Sequence, residues 1–398
     1  MNLFGTIRAP RELVFGSGQR HALGRIARNL GRRALVVTDA RLAGEPTLGA
    51  MLDDLKTSGL DVRVDSSTLP DVPVDSAVRC AEAARAFAPD LVIGVGGGSC
   101  LDIAKCVAVL LTHGGRPQDY YGEHKVPGPV RPIVAVPTTA GTGSEVTPVA
   151  VLSDPERTLK IGVSSPYIIP IASICDPDLT LSCPPSLTAI AGADAMTHAI
   201  EAYTAIRREA VPGIAQDRVF VGKNDFSDHF ALRAIVLLWK GLEAAFRDGS
   251  DVAARERVMM GATMAGLAFS VAGTAAAHAI QYPVGALTHT AHGAGVACLM
   301  PYVMSWNRPS IETELAEIAA AIGLSADALI PEIASLFGRI GIPARLQDLG
   351  LAENQLDWTA EQSCAITRLI QNNPRPLALA DMRRLLDAAY TGDMSLID

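Results

Sequence analysis

A chain of 398 residues, 49% apolar and 19% charged, is long enough for two domains, has ample core and carries no signature of disorder. Its net charge of −8 argues against nucleic acid or an anionic membrane as partner. Its cysteines, with no CxxC and no regular spacing, suggest reduced thiols in a cytoplasmic protein. The opening MNLFGTIRAPRELVFGSG lacks the apolar core of a signal peptide.

Up to CDPDLTLSCPPS (175–186), short Val/Ile-rich runs alternate with helical patterns. RALVVTDARL (33–42), DVRVDSST (61–68), DLVIGVGGGS (90–99) and RPIVAVPTT (131–139) read as strands. PTLGAMLDDLKTSG (46–59) and DSAVRCAEAARAFAP (75–89) read as helices between them. That alternation argues for a parallel, Rossmann-like sheet covered on both faces. After Pro184 the pattern is helical only. LTAIAGADAMTHAIEAYTA starts the series with Ser186 as expected N-cap, a second helix begins at Ser227/Asp228, and further helical runs reach ALADMRRLLDAAY. The expected division is an α/β domain over 1–184 and an all-α domain over 185–398.

DLVIGVGGGSCLDIAK reads as strand, glycine turn and helix. Gly94, Gly96, Gly97 and Gly98 permit close backbone approach, and Ser99 lies where helix N–H groups favour a pyrophosphate. VPTTAGTGSEVT (136–147) supports it with Thr138, Thr139, Thr142 and Ser144, hydroxyls suited to phosphate or ribose. Asp39 ends a strand, where a carboxylate can accept from an adenosine ribose and repel a 2′-phosphate; it could equally cap a helix.

The segment from Val258 to Asn307 contains no Asp, Glu, Lys or Arg, yet holds His278, His289 and His292. Its histidines and its repeated Gly, Ser, Thr and Pro argue against a membrane span and for a close-packed core. Interior histidines must be hydrogen-bonded, catalytic or metal-bound. In GADAMTHAIEAY, Asp194 and His198 stand four apart, on one helix face. With His278 and His292 they make a carboxylate and imidazole set suited to Fe(II), Zn(II), Mn(II) or Co(II), and to a site with an open position.

In these motifs, GGGSCLDIAK, PTTAGTGSEVT, Lys160 in RTLKIGV, CDPDLTLSCPP, GADAMTHAIEAY and HAIQYPVGALTHTAHG, the chain resembles the iron-containing (group III) alcohol dehydrogenases, relatives of glycerol dehydrogenase and dehydroquinate synthase. The resemblance implies a dehydroquinate synthase-like architecture and Asp194, His198, His278 and His292 as metal ligands, for Fe(II) or Zn(II). It implies that Gly96, Gly97, Gly98, Ser99 and Asp102 hold the cofactor pyrophosphate and its loop. Thr138, Thr139, Thr142 and Ser144 would line the nucleotide cleft, Lys160 would lie near the nicotinamide ribose, and Asp39 would favour NAD over NADP. It also implies a homodimer or higher oligomer. One position departs from the commoner pattern: Tyr282 stands where many members have a histidine, so a proton relay would pass through Tyr282, through His289 or through water.

The expected reaction is hydride transfer between a nicotinamide and a metal-bound primary alcohol or its aldehyde. The connection 207–232 carries Arg207, Arg208, Arg218 and Lys223, cations that could receive an anionic substrate or simply face solvent. This loop and Tyr282-Pro283 give the alternative: a hydroxyacid–oxoacid transhydrogenase acting on a hydroxy acid such as 4-hydroxybutyrate with 2-oxoglutarate. A dehydroquinate synthase-type lyase would need a richly basic phosphate pocket, which the sequence does not show.

Overall fold

The computed structural model describes residues 3–157 and 159–397. They fall into two compact units. One is Arg8–Ser182 with Gln216–Val219; the other is Met1–Ile7, Cys183–Ala215 and Phe220–Asp398.

The first unit is built on strands β1 (Glu12–Phe15), β2 (Arg33–Asp39), β3 (Asp61–Thr68), β4 (Leu91–Gly96), β6 (Ile133–Pro137) and β9 (Ala172–Cys175). They form one parallel sheet in the order β1-β9-β6-β4-β2-β3. A small second sheet joins β5 (Gly122–Glu123), β8 (Ile161–Ser164) and β7 (Val149–Leu152) in that order. Strand side chains alternate between two cores, as a period of two requires. Leu35, Val37 and Val92 pack on one face with Ala77, Ile103 and Val107. Ala34, Val36, Leu91 and Ile93 pack on the other with Leu23, Leu48 and Leu55. Burial on both faces is why these strands read as unbroken apolar runs. The helices supplying those partners are α1 (Leu23–Arg28), α3 (Pro46–Thr57), α4 (Val74–Ala84) and α5 (Gly98–His113); the one-turn α2 (Ala40–Ala43) follows β2.

The second unit is helical. It holds α6 (Pro185–Thr204), α8 (Asp225–Arg247), α9 (Val252–Ala272), α10 (Ala276–Thr288) and α11 (His292–Asn307), with the one-turn α7 (Ile214–Asp217) at the crossing between units. Two helix starts differ from expectation. Ser186 lies inside α6, because Pro185 takes the first helical position, where its missing N–H costs nothing. Ser227 and Asp228 lie inside α8, which Asn224 caps by accepting from Phe226 and Ser227 N–H, while Ser227 Oγ accepts from Asn224 N–H. The uncharged stretch spans most of α9 and all of α10 and α11, and α9 and α10 meet at 102°. Among the described residues no single helix is long and apolar enough to cross a membrane.

Candidate metal centre and nucleotide loops

α6 is buried nearly all round, so its polar residues face protein rather than water. Asp194 and His198 share one of its faces, His278 sits in the first turn of α10, and His292 opens α11. Asp194 Oδ1 lies 3.7 Å from His198 Nε2, 3.8 Å from His278 Nε2 and 3.9 Å from His292 Nε2. These separations are too long for hydrogen bonds. They are a little longer than the roughly 3.3–3.6 Å between atoms sharing one tetrahedral ion through bonds of about 2.0–2.2 Å. Ligand atoms of Asp194, His278 and His292 all lie within 4.8 Å of one another, and His198 adjoins this triad through Asp194. Asp194 Oδ1 and His278 Nε2 are both buried and neither has a hydrogen-bond partner. Buried polar atoms left so cost about 1–3 kcal/mol each unless something else satisfies them, and a divalent cation would satisfy both. Burial pushes the Asp194 carboxyl above its ordinary range, and His292 and His278 pull it back only in part.

Aromatic packing holds the rings. His198 stacks between Phe269 (4.3 Å between centroids) and His278 (4.7 Å). The enclosure has one open side: the His292 side chain keeps 35% of its exposure against 5% for Asp194. Gly293 explains how α11 reaches the cluster. A Cβ there would stand 2.2 Å from the Ile190 carbonyl oxygen and 3.0 Å from Asp194 Cβ, so only glycine lets α11 start against α6.

Sequence reasoning missed Glu201, although it lies on the face of α6 that carries Asp194 and His198, seven and three residues on. It is 1% exposed. Its carboxylate accepts from His278 Nδ1 (2.6 Å), Ala275 N–H (2.8 Å) and Ala277 N–H (2.7 Å). Burial acts to raise this carboxyl, but His278 and the two backbone donors outweigh it and leave it below the ordinary range.

Of the two relay candidates, the structure brings only one to the cluster. The Tyr282 ring lies nearly parallel to His292, 6.1 Å between centroids. His289 is exposed and left-handed (φ 54°), terminating α10; among the described residues its side chain makes no hydrogen bond or ring contact. The loop cations are largely engaged within the fold. Arg207 pairs with Asp228 (2.5 Å) and Asp225 (3.5 Å), Lys223 with Glu314 (2.7 Å), and Arg208 donates to the Gln371 carbonyl.

In the other unit the two glycine–hydroxyl motifs meet. Thr138 N–H donates to the Gly96 carbonyl (2.9 Å). Gly96 has φ 148°, and a Cβ at Gly98 would stand 2.6 Å from Thr142 Cγ2. Gly97 is the N-cap of α5 with no side-chain hydrogen bond, and Ser99 follows one residue into the helix. Cys100 N–H already donates to the Gly97 carbonyl (3.0 Å), so Gly98 and Ser99 are the residues whose N–H groups are placed to meet an anion. Thr139 flanks Gly97. Asp102 and Ser144 turn inward: Ser144 Oγ donates to Asp102 Oδ1 (2.6 Å) and Val151 N–H to Oδ2 (2.9 Å). Burial raises the Asp102 carboxyl, and Lys105 draws it down. Lys105, overlooked in the sequence, is fully buried and donates to the Thr147 carbonyl (2.9 Å), Thr147 Oγ1 (3.3 Å) and the Val149 carbonyl (2.7 Å). Burial lowers its ammonium to about 8. Asp39 caps α2, accepting from Leu42 N–H (2.8 Å), with its second oxygen 3.8 Å from Cys100 Sγ. Lys160 is paired with Asp71 at 2.6 Å.

A parallel sheet with a glycine loop opening a helix, and a helical unit with a carboxylate–trihistidine cluster, together define a metal-dependent oxidoreductase acting on CH–OH groups. Comparison with known proteins agrees. Residues 10–177 match the model of the iron-containing alcohol dehydrogenases, and residues 188–390 match the C-terminal model of the Fe-containing alcohol dehydrogenase family. The long-chain-alcohol dehydrogenase 1 of Geobacillus thermodenitrificans is 37% identical over 91% of this chain and 90% of its own. A solved 1,3-propanediol oxidoreductase superposes with a TM-score of 0.90 at 31% identity, covering 97% of this chain and 100% of that one. The sulfoacetaldehyde reductase of Bifidobacterium kashiwanohense, solved in complex with NAD+, gives 0.86 at 27% identity, covering 99% and 100%. The chain belongs to the iron-containing alcohol dehydrogenase family.

Proposed function

We propose that this alcohol dehydrogenase interconverts an uncharged primary alcohol and its aldehyde, using Fe(II) in preference to Zn(II) and NAD in preference to NADP. The observation that carries the reading is the convergence of three imidazole Nε2 atoms on one buried carboxylate oxygen at 3.7–3.9 Å. Asp194, His198, His278 and His292 are the residues that would hold the cation. When bound, the cation supplies Lewis acidity at the substrate oxygen, and the nicotinamide supplies or accepts hydride.

The chain's own residues do the rest. Phe269 and the apolar helices keep water from three of the ligands, while the exposed flank of His292 leaves room for substrate. The Tyr282 phenol, whose ring stacks on His292, can donate a hydrogen bond to an oxygen developing negative charge. His289 serves chiefly to end α10 and is the weaker relay candidate. Gly96, Gly97, Gly98 and Ser99 cradle the pyrophosphate at the N-terminus of α5, with Thr138, Thr139 and Thr142 alongside. Asp102 and Ser144 position that loop from behind. Lys160 reaches the nicotinamide ribose by sharing or leaving Asp71, and Asp39 repels a 2′-phosphate.

An uncharged substrate is supported by the loop cations: Arg207 and Lys223 already have carboxylate partners. That takes away part of the support for the transhydrogenase reading, which then rests on Tyr282-Pro283 and the exposed Arg218. A cytoplasmic homodimer belongs to the same proposal, supported by the composition and by β1, which ends the six-stranded sheet with an edge open to pairing; light scattering on the purified protein tests the dimer.

The deciding experiment is metal analysis of anaerobically purified protein, followed by a panel of primary alcohols with NAD and with NADP. Bound iron and alcohol-dependent NADH formation are expected. Turnover of 4-hydroxybutyrate with 2-oxoglutarate in the absence of added nucleotide, without NADH formation from any alcohol, would overturn the proposal.

A further inference from the structure

We infer that Glu201 is a positioning residue of the metal centre, which fixes the tautomer and aim of His278; the inference rests on the metal reading above. Three donors converge on its buried carboxylate, and each has a distinct consequence. Ala275 and Ala277 N–H belong to the start of α10, where the N-cap is an alanine with no side chain to satisfy them. Glu201 therefore caps α10 from another helix and holds its first turn, the turn that carries His278, against α6. The third donor is His278 Nδ1 at 2.6 Å. An ionised carboxylate can only accept, so the proton sits on Nδ1, and the lone pair is left on Nε2. Nε2 is the atom that is buried without a hydrogen bond, 3.8 Å from Asp194 Oδ1. Outer carboxylates of this kind orient histidine ligands and raise their basicity.

α6 is thereby the template of the site. It carries Asp194 and His198 directly and sets a third ligand through Glu201.

The test is Glu201→Gln, which keeps volume but presents an amide NH2 to a cluster of N–H donors. Metal-free protein is titrated with Co(II) under chelator competition, and the visible spectrum and thermal unfolding are recorded with and without the ion. A 10–100-fold loss of Co(II) affinity, a changed spectrum and a smaller metal-dependent rise in Tm are expected, as for other outer carboxylates. A variant that binds Co(II) with the affinity and spectrum of the parent, whatever its metal-free Tm, would reduce Glu201 to a helix cap and overturn the inference. If the parent protein itself binds no Co(II), the underlying metal reading falls as well, which is a distinct result. Should the variant not fold, 15N NMR of histidine-labelled, Zn(II)-loaded parent protein decides. A His278 ring protonated at Nδ1 supports the inference, and one bound to the ion through Nδ1 overturns it.

Discussion

On α5, the half-buried Asp102 and the fully buried Lys105 stand three residues apart, and both are answered by their own unit. Asp102 takes Ser144 Oγ and Val151 N–H, one on each oxygen, and Lys105 donates to three oxygens of the segment 147–149. On α6, Asp194 and His198 stand four apart, both buried, but Asp194 Oδ1 has three imidazole nitrogens beyond hydrogen-bond range and no partner. Burial raises both carboxyls. What separates them is satisfaction: the α5 pair has its hydrogen bonds and holds loops in place, whereas Asp194 on α6 is left with an unsatisfied oxygen that the proposed ion would answer. A buried charge by itself therefore says little about function; the orphaned atoms facing one another say a great deal.

The strongest way to break this comparison is to remove Asp194. Asp194→Ala should lower metal affinity by more than the roughly 10–100-fold typical of an outer partner, and abolish measurable alcohol oxidation. Metal stoichiometry after dialysis checks it, and full retention of metal would end the distinction between the two pairs. Gly293→Ala comes next. It leaves every ligand in place but sets a methyl 2.2 Å from the Ile190 carbonyl oxygen, so α11 must shift and carry His292 with it. We expect a destabilisation of about 1–3 kcal/mol, as for other overpacked sites, with clear loss of metal; wild-type metal content in the purified variant would contradict this.

Lys105→Met examines the satisfied pair. It strips donors from the Thr147 and Val149 carbonyls and should destabilise by about 1–3 kcal/mol while leaving metal binding untouched, as read by denaturant unfolding and metal analysis together. Lys105 also has a pH signature. Its folded pKa of about 8 lies below its ordinary 10.5, so between these values the unfolded chain binds more protons than the folded one. Stability from this residue must then rise as pH increases through that window. The stability of the parent relative to Lys105→Met should grow from pH 8 to 10; a flat difference would show that the lysine is not held in a proton-repelling interior.

How much of this was legible in the residues depended on how local the cause was. β2, β4 and β6 could be read because burial on both faces made them apolar runs, whereas β3, a largely exposed edge strand, was read from its two valines and its place between a helical pattern and a turn. β1 and β9 could not, since ELVF and ASIC are only four residues each and owe their strand state to pairing in the sheet, β1 with β9 and β9 also with β6. Helix starts were misplaced where two capping signals competed: Pro185 won over Ser186, and Asn224 made Ser227 the far end of a capping box. The candidate ligands stood out because His278 and His292 in an uncharged segment, and Asp194 with His198 four apart in an apolar helical pattern, each need a reason. Glu201 and Lys105 escaped notice because glutamate and lysine in a helical pattern ordinarily face water; only the packing of other elements reveals that they do not.

The smallest expected effect concerns Asp39, which belongs to both kinds of residue at once. One carboxylate oxygen caps α2 through Leu42 N–H, a purely internal duty, while the proposed discrimination against a 2′-phosphate depends on its charge. Asparagine keeps the cap and removes the charge, whereas alanine removes both. Asp39→Ala should cost about 0.5–2 kcal/mol in unfolding experiments, and Asp39→Asn only a few tenths. Both should raise the ratio of NADP- to NAD-supported activity by a similar factor, because the lost charge is common to them. If the ratio moves only in the alanine variant, cofactor choice follows from the shape of α2, and the carboxylate at position 39 is a helix cap like Asn224.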